Sequence, residues 1–143
     1  MRILVDADAC PVKEQIVSLA KRHDIPVAMF FDTAHVYDDG YSDVIIVDQG
    51  PDNVDYALIN AVQSGDIVVS QDYGVATMAL AKGAKALSQN GLIYTDDNIL
   101  SLLNRRAFHQ KMRRHAHLKG PKKRTTAMDE AFVIALSSLI SSN

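Results

Sequence analysis

The sequence predicts an α/β fold of three layers, with a mostly parallel central sheet between helices. Three observations predict it. Short apolar runs alternate with amphipathic stretches of helical period along the chain, as in consecutive strand–helix–strand units. The runs "ILV", "VIIV" and "IVV" are apolar throughout rather than at every second position, the pattern of strands covered on both faces. The 143 residues, 48% of them hydrophobic, suit a single domain over residues 1–143 with one sizeable core.

The elements follow in order. "RILVD" reads as a buried first strand. Pro11 suits the first turn of a helix, where its missing N–H does no harm. "VKEQIVSLAKRHD" then places Val12, Ile16, Leu19 and Ala20 on one stripe. "IPVAMFFD" is a second strand, "TAHVYDDGYSD" a polar loop or short hairpin and "VIIVD" a third strand. Past "QGP", the stretch "DNVDYALINAVQSG" is helical, with a stripe at Val54, Leu58, Ile59 and Val62 and Gly65 to end it. "DIVVSQD" is a fourth strand and "YGVATMALAKG" a helix stopped by Gly83. Two small apolar runs flank an Asn-Gly turn in "AKALSQNGLIYTDD". "NILSLLNRRAFHQKMRRHAHL" reads as a helix that "KGPKKR" breaks. Thr126 and Asp129 have capping-box spacing ahead of a final amphipathic helix, "AMDEAFVIALSSLISS".

Composition narrows the function classes. No apolar run reaches the length of a membrane span, and Asp6 and Asp8 interrupt any signal-peptide pattern, so the expected place is the cytoplasm. The single cysteine, Cys10, excludes an internal disulfide and a cysteine-based zinc site, and reads as a small buried residue. The net charge of −2 conceals a segregation: residues 1–104 hold 15 acids and 6 Lys or Arg, while residues 105–124 hold 9 Lys or Arg and no acid. Such a basic helical segment matches a polyanion, RNA above all; Arg105, Arg106, Arg113, Arg114, Lys122, Lys123 and Arg124 are the candidate phosphate contacts, with Lys13 near the cleft. His109, His115 and His117 add donors, and Phe108 a stacking surface, as Tyr37 and Tyr41 do in the loop. A homo-oligomer is compatible with the sequence, and no partner protein is encoded in it.

The acids carry the chemistry. In parallel sheets the ligand site lies beyond the carboxyl ends of the strands. Asp6 ends the first strand, Asp72 ends the fourth, and Asp52 and Asp55 start the helix between the third and fourth strands, three residues apart on one face. For Asp52 or Asp55 taken singly, capping of the helix start competes evenly with a role in a site. Asp6 and Asp72 together ask for a shared site, because converging carboxylates raise one another's pKa unless a cation lies between them. An all-oxygen donor set suits Mg²⁺ or Mn²⁺.

The segments "DADACPVK", "GPDNVD", "VVSQDYGVATMALAKGAKAL" and "GLIYTDDNI", with Gly120-Pro121 and the Asp129–Phe132 pair, resemble the YaiI/YqxD-type family of small bacterial proteins. That family is similar to PIN-like domains, the metal-dependent ribonuclease fold. The resemblance implies that Asp6, Asp55 and Asp72 hold the metal, with Asp8 and Asp52 as additional catalytic acids, and that RNA is hydrolysed to leave a 5′-phosphate. It departs at Asp55, where Glu is commoner, at Ser70, where Thr is commoner, and at Gln89-Asn90-Gly91, where the family tends to have Pro-Arg-Gly. Asp96 and Asp97 are both candidates for a further acid. Two other readings compete. "ILVDADAC" also resembles the opening strand of haloacid-dehalogenase-type phosphatases, with Ser70, Lys82 or Lys85, and Asp96-Asp97 as the later motifs. A catalytically silent RNA-binding module needs only the basic segment.

Overall fold

The structure, a computed structural model, describes residues 1–32, 37–115 and 123–142, with side chains as far as Arg105 in the helix that ends the second stretch. Six strands form one sheet: β1 (Ile3–Asp6), β2 (Val27–Phe31), β3 (Asp43–Ile46), β4 (Ile67–Val69), β5 (Lys85–Leu87) and β6 (Ile93–Tyr94). Their order is β3-β2-β1-β4-β5-β6; β1 to β5 run parallel and β6 pairs antiparallel with β5. The helices are α1 (Lys13–His23), α2 (Asn53–Ala61), α3 (Tyr73–Ala81), α4 (Asp96–His115) and α5 (Thr126–Ser141). This is the expected three-layer α/β architecture.

Strand alternation divides the core into two layers. Ile3 and Val5 of β1 join Val27, Met29 and Phe31 of β2 and Val69 of β4 under α1 and α5, where Ile16, Phe132 and Leu136 complete the packing. Leu4, Ala28, Phe30 and Val68 face the other way, onto Leu58 of α2, Val75 and Ala79 of α3, and Ile99 and Leu102 of α4. Both faces are apolar, which is why the strands read as unbroken hydrophobic runs. The predicted α1 stripe of Val12, Ile16, Leu19 and Ala20 is buried throughout.

Three local expectations are corrected. Pro11 lies in a turn before α1, whose N-cap is Val12, rather than in the helix. Gly65 does not end α2, which stops at Ala61 with Val62 as its extended C-cap; Gly65 instead takes φ +91° in the turn into β4. The cap of α5 is Thr125, not Thr126, and its hydroxyl accepts from the Met128 amide. By contrast Gly83 follows the C-cap of α3 at φ +83°, as predicted. The Asn-Gly signal marks the β5–β6 turn, where the Ser88 amide donates to the Leu92 carbonyl (2.8 Å) and Gly91 takes φ +87°. Residues 33–36 of the loop after β2, residues 116–122 and the side chains of residues 106–115 lie outside what the structure describes. Among the described residues no helix is long and apolar enough to cross a membrane.

Candidate functional site

Parallel register brings the carboxyl ends of β1, β2 and β4 side by side. Asp6 is in register with Phe30, the Ala7 amide donates to the Phe30 carbonyl (2.9 Å), and Val5 is in register with Val69. The acid that follows each strand is thereby delivered to one rim of the sheet. Asp6, Asp8, Asp32, Asp52 and Asp55 line a cleft of about 260 Å³, with Gly50 and Asn53.

Each acid is held differently. Asp8 accepts the Asp32 amide (2.8 Å), which ties the β1–α1 loop to the end of β2. Asp72 caps α3: its Oδ1 accepts from Gly74 (2.8 Å) and Val75 (3.1 Å). The buried Ser70 hydroxyl accepts the Asp72 amide (3.0 Å) and donates to Asp6 Oδ2 (3.4 Å), so one side chain connects the two strand-end acids. Asp52 sits at the N-cap position of α2 with φ 63°, yet its carboxylate makes no capping bond. Capping therefore accounts for one oxygen of Asp72 and for nothing of Asp52.

Electrostatics reports the crowding. The Asp55 carboxyl is pushed up to about 6, by burial first, then by the charges of Asp72, Asp6 and Asp52 and by a hydrogen bond shared with Asp72. Every one of these favours the protonated acid. Asp6 is also raised, chiefly by burial and then by Asp8, Asp72 and Asp32, while the Ser70 hydrogen bond acts against them. The donor chemistry, hard carboxylate oxygens only, is that of an Mg²⁺ or Mn²⁺ ligand set. Among the described residues, however, no three His, Cys, Asp or Glu side chains are gathered closely enough to hold an ion. The residues fit the group in kind, with Asp55 and Asp72 close enough for each to favour the other's protonated form.

Asp32 is a member of the cleft that the sequence reading missed. Its signal was present: "FFD" closes β2 as "LVD" closes β1, and adjacent parallel strands put both acids on the same rim. Lys13 meets neither an acid nor the cleft. Its ammonium donates to the carbonyls of Ala7 and Cys10 (2.8 Å each) and lies 5.8 Å from the centre of the Phe31 ring, clamping the β1–α1 loop. Arg124 donates to Asp129 (2.6 Å), to Asn90 Oδ1 (2.6 Å) and to the Gln89 carbonyl (2.7 Å), binding the β5–β6 turn to the start of α5. Arg105 and Lys123 are exposed. Arg106, Arg113 and Arg114, with Phe108, His109 and His115, fall where side chains are not described, and Lys122 and His117 lie outside the described residues.

The remaining candidates take structural places. Cys10 is buried, and burial pushes its thiol up. Tyr37 packs on Phe31 and donates to Asp39 (2.7 Å), and Tyr41 donates to the Ile25 carbonyl. Asp96 and Asp97 are exposed in the first turn of α4. Lys82 donates to the Ile59 carbonyl (2.6 Å) and Lys85 to Leu139 (3.1 Å) and Ser142 (2.6 Å). Lys85 is in register with Ile67, at the amino end of β4 and so opposite the acids. A cavity of about 720 Å³ runs along α1 past Lys13 and Lys21 and against Tyr37, Asp38 and Asp39. Its lysines are offset by Glu14, Asp38 and Asp39, so it presents no cationic surface to a phosphate.

Relatives match the chain along nearly its whole length. A UPF0178 protein of Ruminiclostridium cellulolyticum is 59% identical over 95% of this chain and 90% of its own. One from Lachnoclostridium phytofermentans is 51% identical over 99% and 98%, and one from Clostridium acetobutylicum 49% identical over 98% and 97%. No solved structure matches the chain. The family model described as "Uncharacterized BCR, YaiI/YqxD family" matches residues 4–142, from the strand that delivers Asp6 to the end of α5, and the chain belongs to that family.

Proposed function

We propose that the protein is a metal-dependent nuclease acting on RNA, with Asp6, Asp55 and Asp72 holding Mg²⁺ or Mn²⁺ and Asp8 and Asp52 assisting. The observation that supports this best is the delivery of acids from the ends of the adjacent strands β1 and β2 and from the start of α2 to one cleft, with Asp72 close enough to raise Asp55, against the repulsion and desolvation that such crowding costs. The resemblance to PIN-like domains points the same way, as analogy.

A divalent ion bound there supplies Lewis acidity toward a phosphoryl oxygen and lowers the pKa of water. The chain's own residues do the rest. Ser70 fixes Asp6 relative to Asp72. Below about pH 6, where Asp55 holds its proton, an ion bound there would have to displace it, so ion binding and Asp55 deprotonation would be coupled. Asp8 and Asp52 accept hydrogen bonds from water in the cleft. Residues 105–124 hold the RNA backbone through its phosphates. The phosphatase reading loses its lysine: Lys82 and Lys85 are engaged with backbone carbonyls, and Lys85 lies at the wrong end of the sheet.

Labelled single-stranded RNA incubated with the protein in Mn²⁺ tests the proposal. Cleavage is expected in Mn²⁺, none in EDTA, and none from the Asp6→Asn, Asp72→Asn double variant. RNA that binds in a salt-sensitive manner but stays intact under all conditions would mean the silent binding module instead.

A further inference from the structure

We propose that the small cavity beside Asp6 is a ribose subsite, in which Gln71 donates to the 2′-hydroxyl of an RNA strand. This rests on the nuclease reading and names the feature by which the site selects its substrate. The cavity measures about 90 Å³ and is lined by Asp6, Ala9, Cys10, Val69, Gln71 and Gln89, beside Ser70. Asp6 also belongs to the acidic cleft, so the two spaces adjoin across a single carboxylate.

Size and charge decide what enters. A cavity of about 150 Å³ is what benzene fills, so a nucleobase ring is too large for this one. A phosphate belongs on the metal side of Asp6, in the acidic cleft, and the described lining of this cavity offers it no cation. A neutral, small, partly apolar group remains, and the edge of a ribose is that group: Ala9 and Val69 face its carbons and Gln71 its hydroxyl. The Cys10 thiol, raised by burial, stays neutral on this wall.

The donor is set in place beforehand. Gln71 Oε1 accepts the Gln89 amide (2.8 Å), which leaves its NH₂ as the end that donates. The Gln89 carbonyl accepts from Arg124 (2.7 Å), so the backbone of Gln89 is gripped from both sides. Gly91 brings the turn close against the backbone of α5, where an added Cβ would fall 2.6 Å from the Ala131 carbonyl oxygen. The 2′-hydroxyl is the group by which a protein tells RNA from DNA, so this cavity gives the site that discrimination.

The test uses the full chain and three short single strands of one sequence: RNA, DNA and 2′-O-methyl RNA. Cleavage in Mn²⁺ and binding in Ca²⁺ are measured for wild type and Gln71→Leu, with thermal melting as the folding control. Wild type is expected to cleave RNA at least about 5- to 10-fold faster than DNA, the loss associated with one neutral hydrogen bond, and to reject the methylated strand. Gln71→Leu is expected to bring the RNA rate down to the DNA rate and to leave DNA unchanged. Equal rates on RNA and DNA in wild type, or an equal fall on both in the variant, overturn the subsite. If no strand is cut, the nuclease reading fails separately, and binding decides: an RNA preference lost in Gln71→Leu supports the subsite, and no preference overturns it.

Discussion

At the residue scale, Asp55 is where the site's chemistry is most exposed to measurement. Its carboxyl ionises near 6 in the folded chain against 3.8 in the unfolded one. Between these values the folded state binds more protons, so Asp55 lowers stability as pH rises through the window, and its cost is complete above about 6. Metal-free Asp55→Asn is therefore expected to melt higher than wild type at pH 7.5, by an amount worth up to about 1 kcal/mol once solvent screening is allowed for. The gain should vanish at pH 4. Melting curves at the two pH values check this, and a variant that is destabilised at both removes the repulsion argument. Calorimetry should show the opposite sign for Mn²⁺, whose binding weakens in wild type as pH falls through about 6 and is weakest in the variant.

At the element scale, the β5–β6 turn is a support for the site rather than a loose connection. Arg124 clasps it, and Gly91 fits against the backbone of α5 with no room for a side chain. Gly91→Ala places a Cβ 2.6 Å from a carbonyl oxygen at φ +87°. Left-handed strain alone costs about 1–2 kcal/mol, and the clash adds to it, so a loss of about 2 kcal/mol or more in urea unfolding is expected. The loop before β3 behaves differently. Asp39 accepts the amides of Tyr41 and Ser42 and the hydroxyl of Tyr37. Burial opposes its charge, but these donors hold its carboxyl down at about 2. Its contribution is present above about pH 4 and is lost as pH falls through 2.

At the scale of the whole molecule, charge is divided between an acidic sheet rim and the basic residues 105–124. In the proposed function the first binds cations and the second binds the polyanion. Charge reversal in Arg113→Glu, Arg114→Glu is expected to weaken RNA binding at least about 10-fold near 0.1 M salt, and to lower the salt slope by about 2. Asp6→Asn should leave that binding intact or tighter. Fluorescence anisotropy across a salt series separates the two, and a reversal that changes nothing would exclude the basic segment from the interface.

The sequence by itself determined the layers and most of the elements. Unbroken apolar runs and stripes at Val12, Ile16, Leu19 and Ala20 are local signals, and burial on both sheet faces rewards them directly. It also placed Asp6 at a strand end and Asp52 and Asp55 at a helix start, since alternating elements imply a parallel sheet with its site at the carboxyl ends; Asp72, expected to end the fourth strand, instead caps α3 beyond Val69. Cap identity escaped it, because Thr125 and Thr126 are chemically alike and backbone geometry chooses between them. The fates of the cations were beyond it too. Lys13 and Arg124 look like free charges in a string of letters, and only tertiary structure brings the Ala7, Cys10 and Gln89 carbonyls within their reach. Asp32 joined the cleft for the same reason: membership is set by which strand lies beside β1, a long-range pairing that no window of sequence contains.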